Sequence, residues 1–117
     1  AALLQAAFDL LMGLGAAPEG VISGTAIRGL GGVFEGRLVF RSDEEEARAG
    51  KMVGDDLTRL WKAKDLCKSE DAIFAASGVC DGYLPGAILG ESTTTTFSEV
   101  IDVQSGTVRR IETTRKL

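Results

Sequence analysis

The chain has 117 residues, 44% of them apolar and 26% charged, enough for one core and therefore a single domain over residues 1–117. A formal charge of −4 with interspersed signs excludes the concentrated basic face that nucleic acid requires, and no apolar run reaches the roughly 20 residues that span a bilayer. With no histidine and only Cys67 and Cys80, the usual base for a serine or cysteine nucleophile and any zinc-type pattern are missing, so chemistry falls to carboxylates, a metal, hydroxyls or lysine.

Ala1 to Met12 is rich in alanine and leucine and has helix propensity, although Phe8 to Met12 reads equally well as a buried strand ending at Gly13. The chain starts at Ala1 with neither methionine nor a basic leader, as expected of a processed, truncated or partial chain. The stretch "GLGAAPEG", residues 13–20, is a turn that sets Pro18 at the start of a helix with Glu19 beside it. Val21, Ile22, Thr25, Ala26 and Leu30 then recur at helical spacing, and Gly31-Gly32 stops the helix. Val33 to Phe40 has strand propensity, and Ser42 with Glu45 three residues later is a capping box for a helix from Asp43 to about Met52. On that helix Glu44, Glu45, Glu46, Arg48 and Lys51 point around the axis as a solvated face, so they do not converge on a metal.

Leu57 to Trp61 predicts a short strand, Ala63 to Lys68 a small helix, Ala72 to Val79 a buried strand, and "CDGYLPG" a turn. Thr94 to Val103 and Thr107 to Thr113, divided by "QSG", predict a hairpin; strand propensity accounts for Thr93 to Thr96 better than an anion site does. Helices alternating with strands, followed by paired strands, predict an α/β fold: a layered α/β/α domain with a mixed sheet. Cys67 and Cys80 are expected to be ordinary reduced, partly buried thiols, with a redox role left open.

Three readings of the turn compete. A dinucleotide fingerprint finds Gly13 and Gly15 in place but meets Pro18 where the third glycine belongs. An anion and metal corner makes better sense, because small residues admit a ligand to the backbone and the N–H groups of a helix start favour phosphate. Glu19 then stands where a carboxylate ligates Mg²⁺ or Mn²⁺, although one glutamate is not a metal site and no second convergent carboxylate lies nearby in sequence. In the third reading Glu19 merely complements the helix dipole. Residue pattern alone leaves the last two open.

"DLLMGLGAAPEGVISGTAIRGLGGVFEGRL", residues 9–38, closely resembles the glycine-rich segment of class II (GlpX-type) fructose-1,6-bisphosphatases, some of which also accept sedoheptulose-1,7-bisphosphate. "DAIFAASGVCDGYLPG", residues 71–86, and "SGTVRRIET", residues 105–113, resemble later segments of that family in the same order. The resemblance implies the carboxy-terminal domain of a metal-dependent sugar phosphatase with its active site at a domain junction. It implies that Glu19 is a metal ligand for Mg²⁺ or Mn²⁺, that Ala16 contacts the substrate through its backbone, and that the complete enzyme removes the 1-phosphate of the sugar bisphosphate. It covers only about the last third of the family. No complete catalytic set is therefore expected in this chain, which should be inactive without the amino-terminal domain or a partner chain standing in for it.

"ETTRKL" stands where relatives usually carry a histidine. A homo-oligomer or larger assembly, in the cytoplasm or a plastid stroma, is expected. Two rival expectations keep the fold without catalysis: a truncated relative serving as a structural or interaction subunit, with Ala1 to Leu4 packed on a partner, and a phosphate or small-molecule sensor.

Overall fold

The computed structural model describes residues 10–54 and 56–117. Ala1 to Asp9, most of the first expected helix or strand, lie outside the described residues, while Leu10 to Ala16 form neither. Helix α1, Ala17–Gly29, starts from Ala16 in extended geometry (φ −72°, ψ 162°) with Pro18 in its first turn. It ends where Gly31 takes φ +72°, a conformation costly for any residue with a Cβ, and Gly32 N–H donates to the Ile27 carbonyl at 2.9 Å.

Strand β1, Glu35–Gly36, pairs antiparallel with β2, Trp61–Lys62. Only this fragment of the expected Val33–Phe40 strand forms, because backbone groups stay extended in a ladder only where a neighbour supplies partners. Helix α2, Asp43–Val53, forms half of the expected capping box: Ser42 Oγ accepts from Glu45 N–H at 3.2 Å, while Glu45 Oε2 accepts from the N–H of Arg41, one residue before the cap, at 2.9 Å. The helix buries none of its residues, in keeping with the solvated acidic face. Helix α3, Ala63–Leu66, is held at its start by Lys62 N–H donating to Asp65 Oδ2 at 2.9 Å. Arg59 bonds the other Asp65 oxygen at 2.7 Å and lies 4.3 Å from the centre of the Trp61 ring.

The larger sheet is built around β5, Thr93–Asp102. Strand β6, Val108–Lys116, runs along one side of it; β3, Ile73–Ser77, and β4, Ile88–Leu89, share the other. Every pairing among the described residues is antiparallel, in place of the expected mixed sheet. Parallel neighbours need a long crossover, whereas here Gly106, at φ +65°, lets β5 turn directly into β6, and Gly90 N–H donates to the Thr93 carbonyl at 2.8 Å between β4 and β5.

Helix α1 lies on the face of β5 that carries Ile101 and Val103, and the contact is made by glycine. A Cβ on Gly29 would stand 2.5 Å from Ile101 Cγ2, and one on Gly24 would stand 3.3 Å from Leu66 Cδ1 on α3. The sequence pattern pointed to Val21 and Ile22 as part of the inward face, yet they are 42% and 56% exposed, while Gly24, Ala26 and Gly29 are buried. Small residues win the inward face because they let the helix axis approach the sheet. On the opposite sheet face Ile73 and Ile111 remain 64% and 44% exposed, so among the described residues the expected three layers are two.

Strand β3 is correspondingly an edge strand with alternating burial, not the fully buried strand expected over Ala72–Val79. Among the described apolar residues the core is Ala26, Cys67, Ile101 and Val103. The chain exposes 8881 Å², against about 6,100 Å² for a compact monomer of its mass.

Because the Ile101 methyl is held in a packed strand, Gly29→Ala is expected to cost about 1–3 kcal/mol in urea unfolding. Gly50→Ala on α2, where a new Cβ meets nothing within 4 Å, is expected to stabilise by about 0.5–1 kcal/mol.

Candidate functional site

Glu19 sits in the first turn of α1, where a negative charge is favoured by the helix dipole, and its side chain is exposed. The intrahelical ladder begins at Gly20, whose N–H donates to the Ala16 carbonyl at 3.2 Å. Proline has no N–H, so the orphan donors of this helix start are those of Ala16, Ala17 and Glu19, and among the described residues no side chain caps them. On the approach to them, a Cβ on Gly13 would meet nothing within 4 Å, and one on Gly15 only the Glu19 Cβ at 3.8 Å. The corner is therefore an open, positively polarised cradle with one carboxylate on its rim, suited to an anion.

A divalent cation is a different matter. Among the described residues no three His, Cys, Asp or Glu side chains converge, and Glu19 by itself does not fit a cation that demands several oxygen ligands. The structure thus keeps the two residues singled out by resemblance, Ala16 and Glu19, in one turn, and among the described residues gathers no cluster of three metal-ligating side chains there.

A second polar centre escaped the sequence reading. Glu99 on β5 is 1% exposed; its Oε1 accepts from Tyr83 Oη at 2.5 Å and its Oε2 from Arg110 Nε at 3.3 Å. Burial alone would raise the Glu99 carboxyl, but donated hydrogen bonds, those of Tyr83 and Arg110 among them, hold it below its ordinary 4.5. Tyr83, Phe97 and Arg110 also line a half-open cleft of about 340 Å³ that includes neither Ala16 nor Glu19.

The turn that presents Tyr83 is locked by Gly86 N–H donating to Asp81 Oδ1 at 2.8 Å, and by Gly78, on which a Cβ would collide with the Pro85 carbonyl. The sequence signal was a lone glutamate in the β-rich run "TTTTFSEVID"; its partners lie 16 and 11 residues away, beyond any short-range pattern. Thr95 and Thr114 hydroxyls bond each other at 2.8 Å across β5 and β6, as strand-forming threonines do. Cys67 is buried and Cys80 exposed; both are free thiols.

The family model described as "Bacterial fructose-1,6-bisphosphatase, glpX-encoded" matches residues 1–115. A D-fructose 1,6-bisphosphatase class 2/sedoheptulose 1,7-bisphosphatase 1 of Acaryochloris marina (strain MBIC 11017) is 40% identical over 120 residues, covering 92% of this chain and 35% of the relative. The similarly named protein of Gloeobacter violaceus (strain ATCC 29082 / PCC 7421) is 36% identical, covering 88% of this chain and 34% of that protein. That of Synechococcus sp. (strain RCC307) is 42% identical over 95 residues, 70% of this chain and 28% of that protein. The chain thus spans about a third of the length of the relatives it matches.

The buried carboxylate carries a pH signature. The folded state holds the Glu99 proton more weakly than the unfolded chain does, so its contribution is complete above the unfolded value of 4.5 and is lost as pH falls through the lower folded value. Urea midpoints of wild type and Glu99→Gln, measured across that range, are expected to show wild type the more stable near neutrality and the gap narrowing as pH falls below 4.5.

Proposed function

The chain belongs to the bacterial glpX-encoded fructose-1,6-bisphosphatase family and corresponds to its carboxy-terminal portion, and from that premise we propose that it supplies one wall of a sugar-bisphosphatase active site. The observation that carries the reading is the start of α1, where the N–H groups of Ala16 and Ala17 and the carboxylate of Glu19 occupy one turn. Donors of that kind suit the oxygens of a phosphate monoester, and a carboxylate beside them suits a Mg²⁺ or Mn²⁺ ion shared with the same phosphate. The substrate is fructose-1,6-bisphosphate or sedoheptulose-1,7-bisphosphate, with the 1-phosphate as the group removed. Ala16 binds a substrate oxygen through its N–H, for which the methyl is no obstacle because it stands off the backbone. Glu19 provides one ligand; the other carboxylates belong to the amino-terminal portion of the complete enzyme.

The test is a chimera in which the portion of the Acaryochloris marina relative preceding the matched segment is followed by residues 1–117. Phosphate release from fructose-1,6-bisphosphate is expected from the chimera and not from the 117-residue chain; turnover by the chain alone, or none by a folded chimera, would count against the reading and, in the second case, favour a non-catalytic subunit. Within the chimera Glu19→Gln is expected to lower kcat/KM by at least about 100-fold, more than the loss of an outer-shell partner to a metal. Ala16 already has φ −72°, a value proline adopts, so Ala16→Pro removes the N–H with little strain. It is expected to lower kcat/KM about tenfold or more while leaving the thermal midpoint in place, the loss of one hydrogen bond to a charged oxygen.

A further inference from the structure

We infer that the outer edge of β6 pairs antiparallel with the same edge of a second copy of this chain, about a two-fold axis at Ile111. Strand β6 has nine residues, neither proline nor glycine, and an unbroken register with β5. Asp102 N–H donates to the Thr107 carbonyl at 3.0 Å, and Leu117 N–H donates to the Ser92 carbonyl at 2.9 Å. Antiparallel bonding alternates, so the odd-numbered residues of β6 exchange hydrogen bonds with β5, while the backbone groups of Val108, Arg110, Glu112, Thr114 and Lys116 point to the other side. No strand among the described residues pairs with that side. An edge of this length, with neither bulge nor proline, is a template for another strand.

Charge selects the register. Pairing the whole of β6 with its copy would centre the axis on Glu112, setting Glu112 opposite Glu112 and Arg109 opposite Arg115. Axes at Arg109 and Arg110 put each arginine opposite itself, and one at Thr113 puts Arg110 opposite Lys116. Like charges directly opposite are unfavourable. With the axis at Ile111, Arg110 of each copy lies opposite Glu112 of the other, Arg109 opposite Thr113 and Val108 opposite Thr114. This is the longest register free of like-charge pairs, since the next, centred on Thr114, pairs only Glu112 to Lys116. The charges that blunt the edge in other registers leave one long way for it to meet itself.

The side chains suit that register. Glu112 is exposed and has no ion-pair partner among the described residues. Arg110 gives Nε to Glu99 at 3.3 Å, which leaves its two terminal nitrogens for the Glu112 carboxylate of the second copy. Ile111, 44% exposed on the open sheet face, meets its own copy across the axis, where an apolar cross-strand pair is favourable. The contact is isologous and closes at two copies. Neither Ala16 nor Glu19 takes part, so the pairing stands apart from the proposed function.

Sedimentation equilibrium of the 117-residue chain at about 100 μM is expected to give about twice 12.3 kDa. Glu112→Arg, which sets arginine opposite Arg110, is expected to weaken dimerisation at least about tenfold and to leave the circular dichroism unchanged. The axis is read by cross-linking with oxidised glutathione in a Cys80→Ser background, Cys67 being buried. Facing residues in a non-hydrogen-bonded pair have Cα atoms about 4.5 Å apart, within reach of a disulfide, so Ile111→Cys is expected to form a covalent dimer and Thr113→Cys to stay monomeric on a non-reducing gel. A chain that remains monomeric in the centrifuge overturns the inference. So does a dimer undiminished by a folded Glu112→Arg, or one in which Thr113→Cys cross-links as readily as Ile111→Cys; should Glu112→Arg fail to fold, the two cysteine variants decide.

Discussion

The fastening of α1 at its carboxy-terminal end joins the helix both to α3 and to the larger sheet. Arg28 donates from Nη1 to the carbonyls of Cys67 and Ser69 at 2.6 and 2.7 Å, and from Nη2 to Glu70 Oε1 at 2.6 Å. Its side chain is only 13% exposed, so the two carbonyl bonds satisfy a largely desolvated guanidinium, which also lies where the helix dipole favours a cation. Glu70 is well exposed and adds less. One residue on, Gly29 presses against Ile101. The fork ties the helix to the segment between α3 and β3, and the glycine seats it on β5. Together they fix the direction in which the other end of the helix, with Ala16 and Glu19, projects.

The second fastening is polar and lies farther along the same strand. Glu99 belongs to the face of β5 that carries Ile101 and Val103, and a carboxylate buried there without partners would be strongly unfavourable. Tyr83 and Arg110 meet it from the turn after β3 and from β6, so the charge that would have opened the sheet ties three elements together. Gly78 and Gly86 make the approach of that turn possible, since side chains there would run into backbone. The hydrophobic core is small, and these bonded polar centres do much of the work of registration that a larger core would do.

Short-range chemistry was legible in the sequence. Ser42 and Glu45 cap α2 as their spacing demands, Gly31 ends α1, and the threonine-rich run pairs with the chain's last strand through the turn at Gly106. What the sequence could not give was set by distant partners. The stretch Val33 to Phe40 had strand propensity without a neighbour to satisfy it, and only Glu35–Gly36 found one. Periodicity weighted Val21 and Ile22 over the glycines, because a pattern of apolar residues registers size while a close helix–sheet approach rewards its absence. Of the site, the turn and its orphan donors were readable from Gly15, Pro18 and Glu19. The role proposed for Glu19 came from family likeness alone, since a helix-start glutamate is equally at home as a dipole partner.

The two misjudged features, the outward Val21 and Ile22 and the open sheet face of Ile73 and Ile111, have one physical origin. Apolar periodicity reports which surfaces a sequence is built to bury, and it does so whether or not the burying element lies within the residues at hand. A chain spanning about a third of its relatives' length is then expected to show more buried-type surface in its sequence than in its structure, as this one does. The same reasoning explains how the fold holds without its site. Arg28, Gly29 and Glu99 find all their described partners within the chain, so α1 is oriented by contacts that do not involve Glu19. A carboxylate held out from a scaffold fixed in this way pays no folding cost for its solitude.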